Sequence, residues 1–395
     1  MMVKTPTTVM KSDQKLRAEM PITSRFAYFD HAAVSPLPAV SARKIASWAN
    51  EIASNGDTLW PQWAGEVEAT RAQAAGLLDA NESEIALVPN TTFGINTIAS
   101  GVPWQSGDSV VVPGNEFSSN LLPWKMLARQ GVEVRIANMP PIDARSSVSM
   151  VEHILPLVDQ TTKIVSVSWV SYSSGFRCDL AALCECLHAR GVKLFVDAIQ
   201  GLGAFPLSVR SIPIDFLAAD GHKWMLGPEG AGVLYIRNEH LDWLQPTMIG
   251  WNSVVNSHHF SPEASELKAN AQRYEGGAWN MPGQLALGAS IELLRDCNSA
   301  EAGHALTASI TDHCNYLVES LLRIGASVCR AGDPNCHSGI VPFTLPGVDS
   351  AAVRAHLLEQ DVVLSVRHGF LRAAVHGYNS TEDVDRLVAA VKEIA

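Results

Sequence analysis

The sequence predicts an α/β fold: a large domain on a mostly parallel, seven-stranded sheet, followed by a small α+β C-terminal domain. Three observations carry this. Between Phe26 and Ile236, seven short apolar runs alternate with amphipathic stretches. Several of those runs are apolar at successive positions, as strands covered on both faces are. The last quarter of the chain instead reads strand, helix, strand, strand, helix, which is an α+β order rather than a strict alternation. At 395 residues the chain exceeds one small core, and the divisions fall at 1–20 (an N-terminal arm), 21–280 (large domain) and 281–395 (small domain).

The strand-like runs are Ile85–Val88, Ser109–Val112, Val132–Ile136, Ile164–Val170, Leu194–Val196, Phe216–Ala219 and Gly232–Ile236. Helical patterns lie between them at Trp63–Leu78, Asn120–Arg129, Val151–Val158 and Leu180–Ala189, the last capped by Asp179. A polar segment, Gly250–Gly277, has little periodicity. Helices follow over Gln284–Leu294 and Leu306–Ile324. The tail predicts strands at Ile340–Phe343, Val362–Val366 and Leu371–Val375, with helices at Ala351–Glu359 and Glu382–Ile394.

Composition excludes several classes of function. The formal net charge is −11, and no basic stripe with interleaved aromatics occurs, so nucleic acid and anionic membrane are not expected partners. No apolar run reaches the roughly 20 residues of a membrane span. Residues 1–20 are polar with scattered Lys and Arg, unlike a secretory signal, and read as a flexible arm on a cytoplasmic protein. Seven cysteines suit reduced thiols rather than a disulfide framework. Cys184 and Cys186 would point about 200° apart on a helix and share no metal ion easily.

The chemistry concentrates at Asp220–Gly232, D-G-H-K-W-M-L-G-P-E-G-A-G. Lys223 follows a buried-looking strand and precedes several Gly and Pro breakers. A lysine in such a partly apolar, loop-built site loses its proton readily and acts as an amine nucleophile, as a Schiff-base lysine does. Upstream, Asp197 ends an apolar strand, where parallel sheets gather their binding groups. A carboxylate there suits pairing with a pyridinium nitrogen, although a helix cap would use the same residue. Thr91 and Thr92, in P-N-T-T-F-G-I-N after another strand, expose hydroxyls and amides that suit a phosphate.

Taken together, V-D-A-I-Q-G and G-H-K-W-M-L-G-P-E-G resemble the class V aminotransferase-type enzymes of pyridoxal 5′-phosphate (PLP) fold type I. Cysteine desulfurases, selenocysteine lyases and isopenicillin N epimerase-like proteins belong to that group. The likeness runs from Tyr28-Phe29-Asp30-His31 to Asp385-Arg386-Leu387. It implies that PLP is held as a Schiff base on Lys223, with Asp197 on the pyridine nitrogen and Gln200 on the phenolic oxygen. Thr91, Thr92 and His222 match phosphate-binding positions, and Phe117 the side chain that stacks on the ring. Arg372, Arg367 and His31 match substrate-binding positions, the arginines as a fork for the carboxylate of an amino acid. A homodimer with shared active sites is also implied, with Gly250–Gly277 as the crossing loop.

The sequence departs from that group in informative places. Desulfurases carry a nucleophilic Cys on a loop between the two arginines, whereas here only His368-Gly369-Phe370-Leu371 separates them. Cys336 is the nearest thiol by sequence. Tyr172 stands where desulfurases have Asn, Asp220 where many relatives have Ser near the phosphate, and Ala278 where a hydroxyl residue is usual. Trp169, Trp224, Trp251 and Trp279 lie in or beside the motifs; two of them in the pocket would favour an apolar or aromatic substrate. Transamination, epimerisation and elimination all remain open at this stage, with cysteine desulfurase or selenocysteine lyase activity as the alternative. A non-catalytic binding protein is disfavoured by the intact Lys223, Asp197 and Arg372.

Overall fold

The computed structural model describes residues 12–140, 149–259, 266–298 and 305–394. In chain order the strands are β1 (Ala27–Tyr28), β2 (Ile85–Val88), β3 (Ser109–Pro113), β4 (Glu133–Ala137), β5 (Thr162–Ser168), β6 (Lys193–Asp197), β7 (Phe216–Asp220), β8 (Gly232–Ile236), β9 (Ser327–Val328), β10 (Ile340–Thr344), β11 (Val362–Val363), β12 (Ser365–Arg367) and β13 (Phe370–Ala374). The helices are α1 (Ser12–Ala18), α2 (Ala39–Asn55), α3 (Trp60–Leu78), α4 (Thr91–Gly101), α5 (Leu122–Met126), α6 (Met150–Ile154), α7 (Leu180–His188), α8 (Met281–Cys297), α9 (Ala305–Arg323), α10 (Ser350–Glu359) and α11 (Thr381–Lys392).

The large sheet has seven strands in the order β2-β8-β7-β6-β5-β3-β4. Strands β3 to β7 run parallel to one another, and β8 runs antiparallel between β7 and β2. Every residue of β2, β3, β7 and β8 is buried, because helices cover both faces. The edge strand β4 is the exception, exposing Glu133 and Ile136. Parallel pairing puts the carboxyl ends of β5, β6 and β7 side by side, so Ser168, Asp197 and Asp220 converge. A second sheet, β12-β13-β10-β9, is antiparallel.

Four expectations about individual segments need revision. Residues 12–20 are no loose arm: α1 buries Leu16, and Arg17 bonds Asp383 at 2.7 Å and the Tyr378 carbonyl at 3.0 Å. Residues 1–11 lie outside the described residues. The helix expected over Asn120–Arg129 splits into a 3-10 turn, α5 and a second 3-10 turn, and Pro156 cuts the Val151–Val158 helix short after α6. The run Val362–Val366 serves two sheets, since β11 pairs with β1 while β12 pairs with β13. Helix α8 packs on α2 and α3. No described helix is long and apolar enough to cross a membrane.

Candidate active site

The turn after β7 carries Lys223, and the carboxyl end of β6 carries Asp197. Both line one cavity of about 310 Å³, together with Phe117, Tyr172, Arg367 and Arg372. Tight backbone contacts seat this floor. Gly203, at φ +97°, lies so near Trp224 that a Cβ would meet its carbonyl oxygen at 2.4 Å. Ser35 donates from its hydroxyl to the Lys223 carbonyl at 2.6 Å.

Burial sets the electrostatics. It pushes the Lys223 amine down to about 8; Asp197 pulls it back up, and Arg372 pushes it further down. Burial likewise raises the Asp197 carboxyl to about 6, against the Ile199 amide that bonds it at 3.1 Å and the charge of Lys223. The two groups therefore titrate near neutrality, where proton transfer is most useful.

Thr91 begins α4, whose N-cap Asn90 accepts from the Phe93 amide at 2.8 Å. The Thr91 hydroxyl accepts from the Asp220 amide at 2.8 Å, and Thr92 donates to Ser119 at 2.8 Å. His222 Nδ1 lies 3.0 Å from the Asp220 carboxylate. Asp220 is thus buried beside that imidazole. Phe117 lines the cavity with its ring 46% exposed, and Lys223 Nζ sits 5.8 Å from the ring centroid.

Gln200 also lines the cavity, but its amide is engaged by protein: it donates to the Ala32 carbonyl at 3.0 Å and accepts from Trp224 Nε1 at 2.9 Å. Arg372 is buried, donating to Ser365 Oγ at 3.1 Å and the Tyr172 carbonyl at 2.7 Å, with Asp30 at 3.3 Å. Burial lowers it to about 10 despite Asp30. Arg367 is half-buried on the same wall and donates to the Val366 carbonyl.

His31 is not brought into the cavity. It is fully buried beneath it, donating from Nδ1 to the Ala374 carbonyl at 2.7 Å and accepting from Tyr378 at 2.7 Å. Both ring nitrogens are used, so its place is structural, beside Trp224 and His376. None of the four tryptophans lines the Lys223 cavity either. Trp169 and Trp224 are core, and Trp251 and Trp279 line a separate cavity of about 420 Å³ beyond Val88 and Pro89. No cysteine lines the Lys223 cavity, and the Cys336 carbonyl instead accepts from the Arg177 amide at 2.8 Å.

Sequence reading missed Glu116 and Asp30. Glu116 accepts from the Ser168 amide at 2.6 Å and from its hydroxyl, and burial raises its carboxyl to about 7 against those bonds. Its signal was an acid just beyond an apolar strand, one residue before Phe117. Asp30 gave no signal, because only the folded chain sets it beside Arg372. Among the described residues, Asp215, Glu239 and His240 have metal-like spacing. They lie at the opposite end of β7, and Asp215 already accepts from His240, His188 and the Leu194 amide at 2.6, 2.9 and 2.7 Å.

Comparison with known proteins follows this geometry. A family model described as "Aminotransferase class-V" matches residues 27–387. A probable cysteine desulfurase of Methanothermobacter thermautotrophicus is 29% identical, covering 97% of this chain and 98% of its own. The apo structure of a cysteine desulfurase from Thermococcus onnurineus superposes with a TM-score of 0.86 at 25% identity, covering 98% of each chain. A C-DES variant with glycine covalently linked to its PLP cofactor has a TM-score of 0.88, covering 95% of this chain and 99% of that one. At 22% identity, that last likeness concerns the fold alone.

Proposed function

The chain belongs to the aminotransferase class-V family, and on that premise we propose an enzyme that holds PLP on Lys223 and removes a sulfur group from the β-carbon of an amino acid. The observation that carries this is the convergence of Lys223, Asp197 and Arg372 on one cavity. The donor set fits PLP. The start of α4 with Thr91 and Thr92, Ser119 and His222 offer amides, hydroxyls and an imidazole to a phosphate. A buried carboxylate, Asp197, suits a ring nitrogen, and Phe117 offers a flat face.

The bound cofactor supplies an electron sink for negative charge developing at the substrate α-carbon. Asp197 holds the charge of the ring nitrogen. Lys223, with its amine near 8, takes the proton at the α-carbon. Arg372, fixed by Ser365, Tyr172 and Asp30, is oriented to bind the α-carboxylate. Gln200, with one amide proton given to Ala32, has the second for the cofactor's oxygen.

Sulfur chemistry is supported by the relatives' names, and the cavity lining supports release without an enzyme persulfide, since no thiol lines it. Incubation with S-substituted cysteines tests this. Thiol and pyruvate should appear together; pyridoxamine phosphate without thiol would overturn it. That outcome would establish transamination, the second reading, which Arg367 favours. A second guanidinium on the wall would seat the distal carboxylate of a dicarboxylic acid.

Sites of this kind are completed by a second copy, and the exposed Met248, Ile249 and Trp251 in the Gly250–Gly277 region and just before it suit such a contact. A homodimer measured by light scattering would agree; a fully active monomer would not. The seven free cysteines suit a reducing cytoplasm.

A further inference from the structure

We propose that Tyr172 is the acid that protonates the departing sulfur, and that His368 returns its proton from solvent. The proposal rests on the lyase reading above and names the group that reading lacks.

Tyr172 lines the Lys223 cavity, and its carbonyl accepts from Arg372 at 2.7 Å. The proposed α-carboxylate anchor thus fixes the tyrosine. Its ring meets Phe117 edge-on, with centroids 5.3 Å apart, and Lys223 Nζ lies 5.8 Å from that same Phe117 centroid. A substrate held by Arg372 with its α-carbon at Lys223 therefore has Tyr172 against the rest of its body. The other hydroxyls and the imidazole lie elsewhere: Thr91, Thr92, Ser119 and His222 gather at the start of α4, where a phosphate would sit, and Ser168 donates to Glu116.

The Tyr172 hydroxyl lies 2.8 Å from His368 Nε2. A neutral His368 protonated on Nε2 donates to the phenol oxygen, which frees the phenol proton to point at the substrate. His368 itself is exposed, so its ring exchanges protons with water. The imidazole is held in place by a two-residue hairpin turn between β12 and β13, with φ +51° at His368 and +82° at Gly369. Ser350 pins that turn through the Gly369 carbonyl at 2.6 Å.

The step balances. The carbon–sulfur bond breaks and its electron pair leaves on sulfur. The Tyr172 proton goes to that sulfur, and Lys223 holds the proton from the α-carbon. His368 then passes its Nε2 proton to the phenolate as Nδ1 takes one from water. No external oxidant or reductant is needed.

Leaving groups test this. Tyr172→Phe holoenzyme should keep the wild-type visible spectrum and cofactor content. Its kcat/KM for S-ethylcysteine, whose thiol is a poor leaving group, should fall about 10²-fold. S-phenylcysteine should lose about tenfold or less, and β-chloroalanine, which needs no proton, should stay within about threefold. His368→Asn, which leaves Tyr172 in place and suits the left-handed turn, should show the same ordering with smaller losses. An equal loss on all three substrates, or none on S-ethylcysteine, overturns the role of Tyr172. If Tyr172→Phe loses its cofactor, the His368→Asn ordering decides alone. A wild-type enzyme that releases no thiol from any of them overturns the lyase reading instead, and this proposal with it.

Discussion

The cavity has two unlike walls. Its floor is the carboxyl edge of the parallel sheet, where Asp197 is buried and Lys223 follows the last residue of β7. Its rim is a hairpin of the antiparallel sheet, where His368 is exposed and Arg367 half-buried. Covered strands fix the floor groups and strip them of water, which moves their proton affinities toward neutrality. The rim keeps its water and can change in length without disturbing a ladder. The floor therefore sets the common chemistry, and the rim selects among reactions.

If that division holds, floor changes act on kcat and rim changes act on KM or on the choice of substrate. Lys223→Ala should have the largest effect, a loss of turnover of about 10³-fold or more, measured with the disappearance of visible cofactor absorbance. Asp197→Asn should follow, lowering kcat by about 10²-fold while leaving KM within a few-fold. Arg372→Gln should instead raise KM by about 30-fold or more, because it removes a buried guanidinium from the carboxylate. A kcat loss there as deep as that of Asp197→Asn would break the comparison.

A smaller effect concerns pH. Only the neutral amine captures the cofactor, and burial lowers Lys223 to about 8. Capture by the apoprotein should therefore quicken about tenfold per unit up to pH 8 and level off above it, followed by stopped-flow absorbance. A rise continuing to pH 10 would mean that the floor is wetter than its burial indicates. Smallest of all, Arg367→Ala should raise KM for a monocarboxylic substrate by only about threefold.

The same contrast explains what was legible in the sequence. The floor could be read because apolar strands ending in Asp197 and Asp220 announce both burial and position. Residues on the rim were recognised singly, but their partners were not: nothing near Arg372 in sequence points to Asp30, and nothing near Tyr172 points to His368. His31 misled for the same reason. It stands beside Asp30 and the cavity-lining Ala32, yet its ring turns away into the core. Helix α2 escaped notice because it buries few large side chains: Ser41 packs there, bonding the Ala286 carbonyl at 2.9 Å. An apolar period cannot be read from serine and alanine.

The strand β1 and the arginine of α1 find their partners very late. Ala27 bonds Asp361, Phe29 bonds Val363, and Arg17 bonds Asp383. On the ribosome, β1 must wait until more than 330 residues after it have been made, since Phe29 bonds Val363. The sheet of β2 to β8 can assemble first, domain by domain, as nascent chains do. Closure of the molecule is then a separate, slow event with a large loop to draw in. Until it happens, Phe29 stays uncovered, an apolar surface of the kind that invites misassembly.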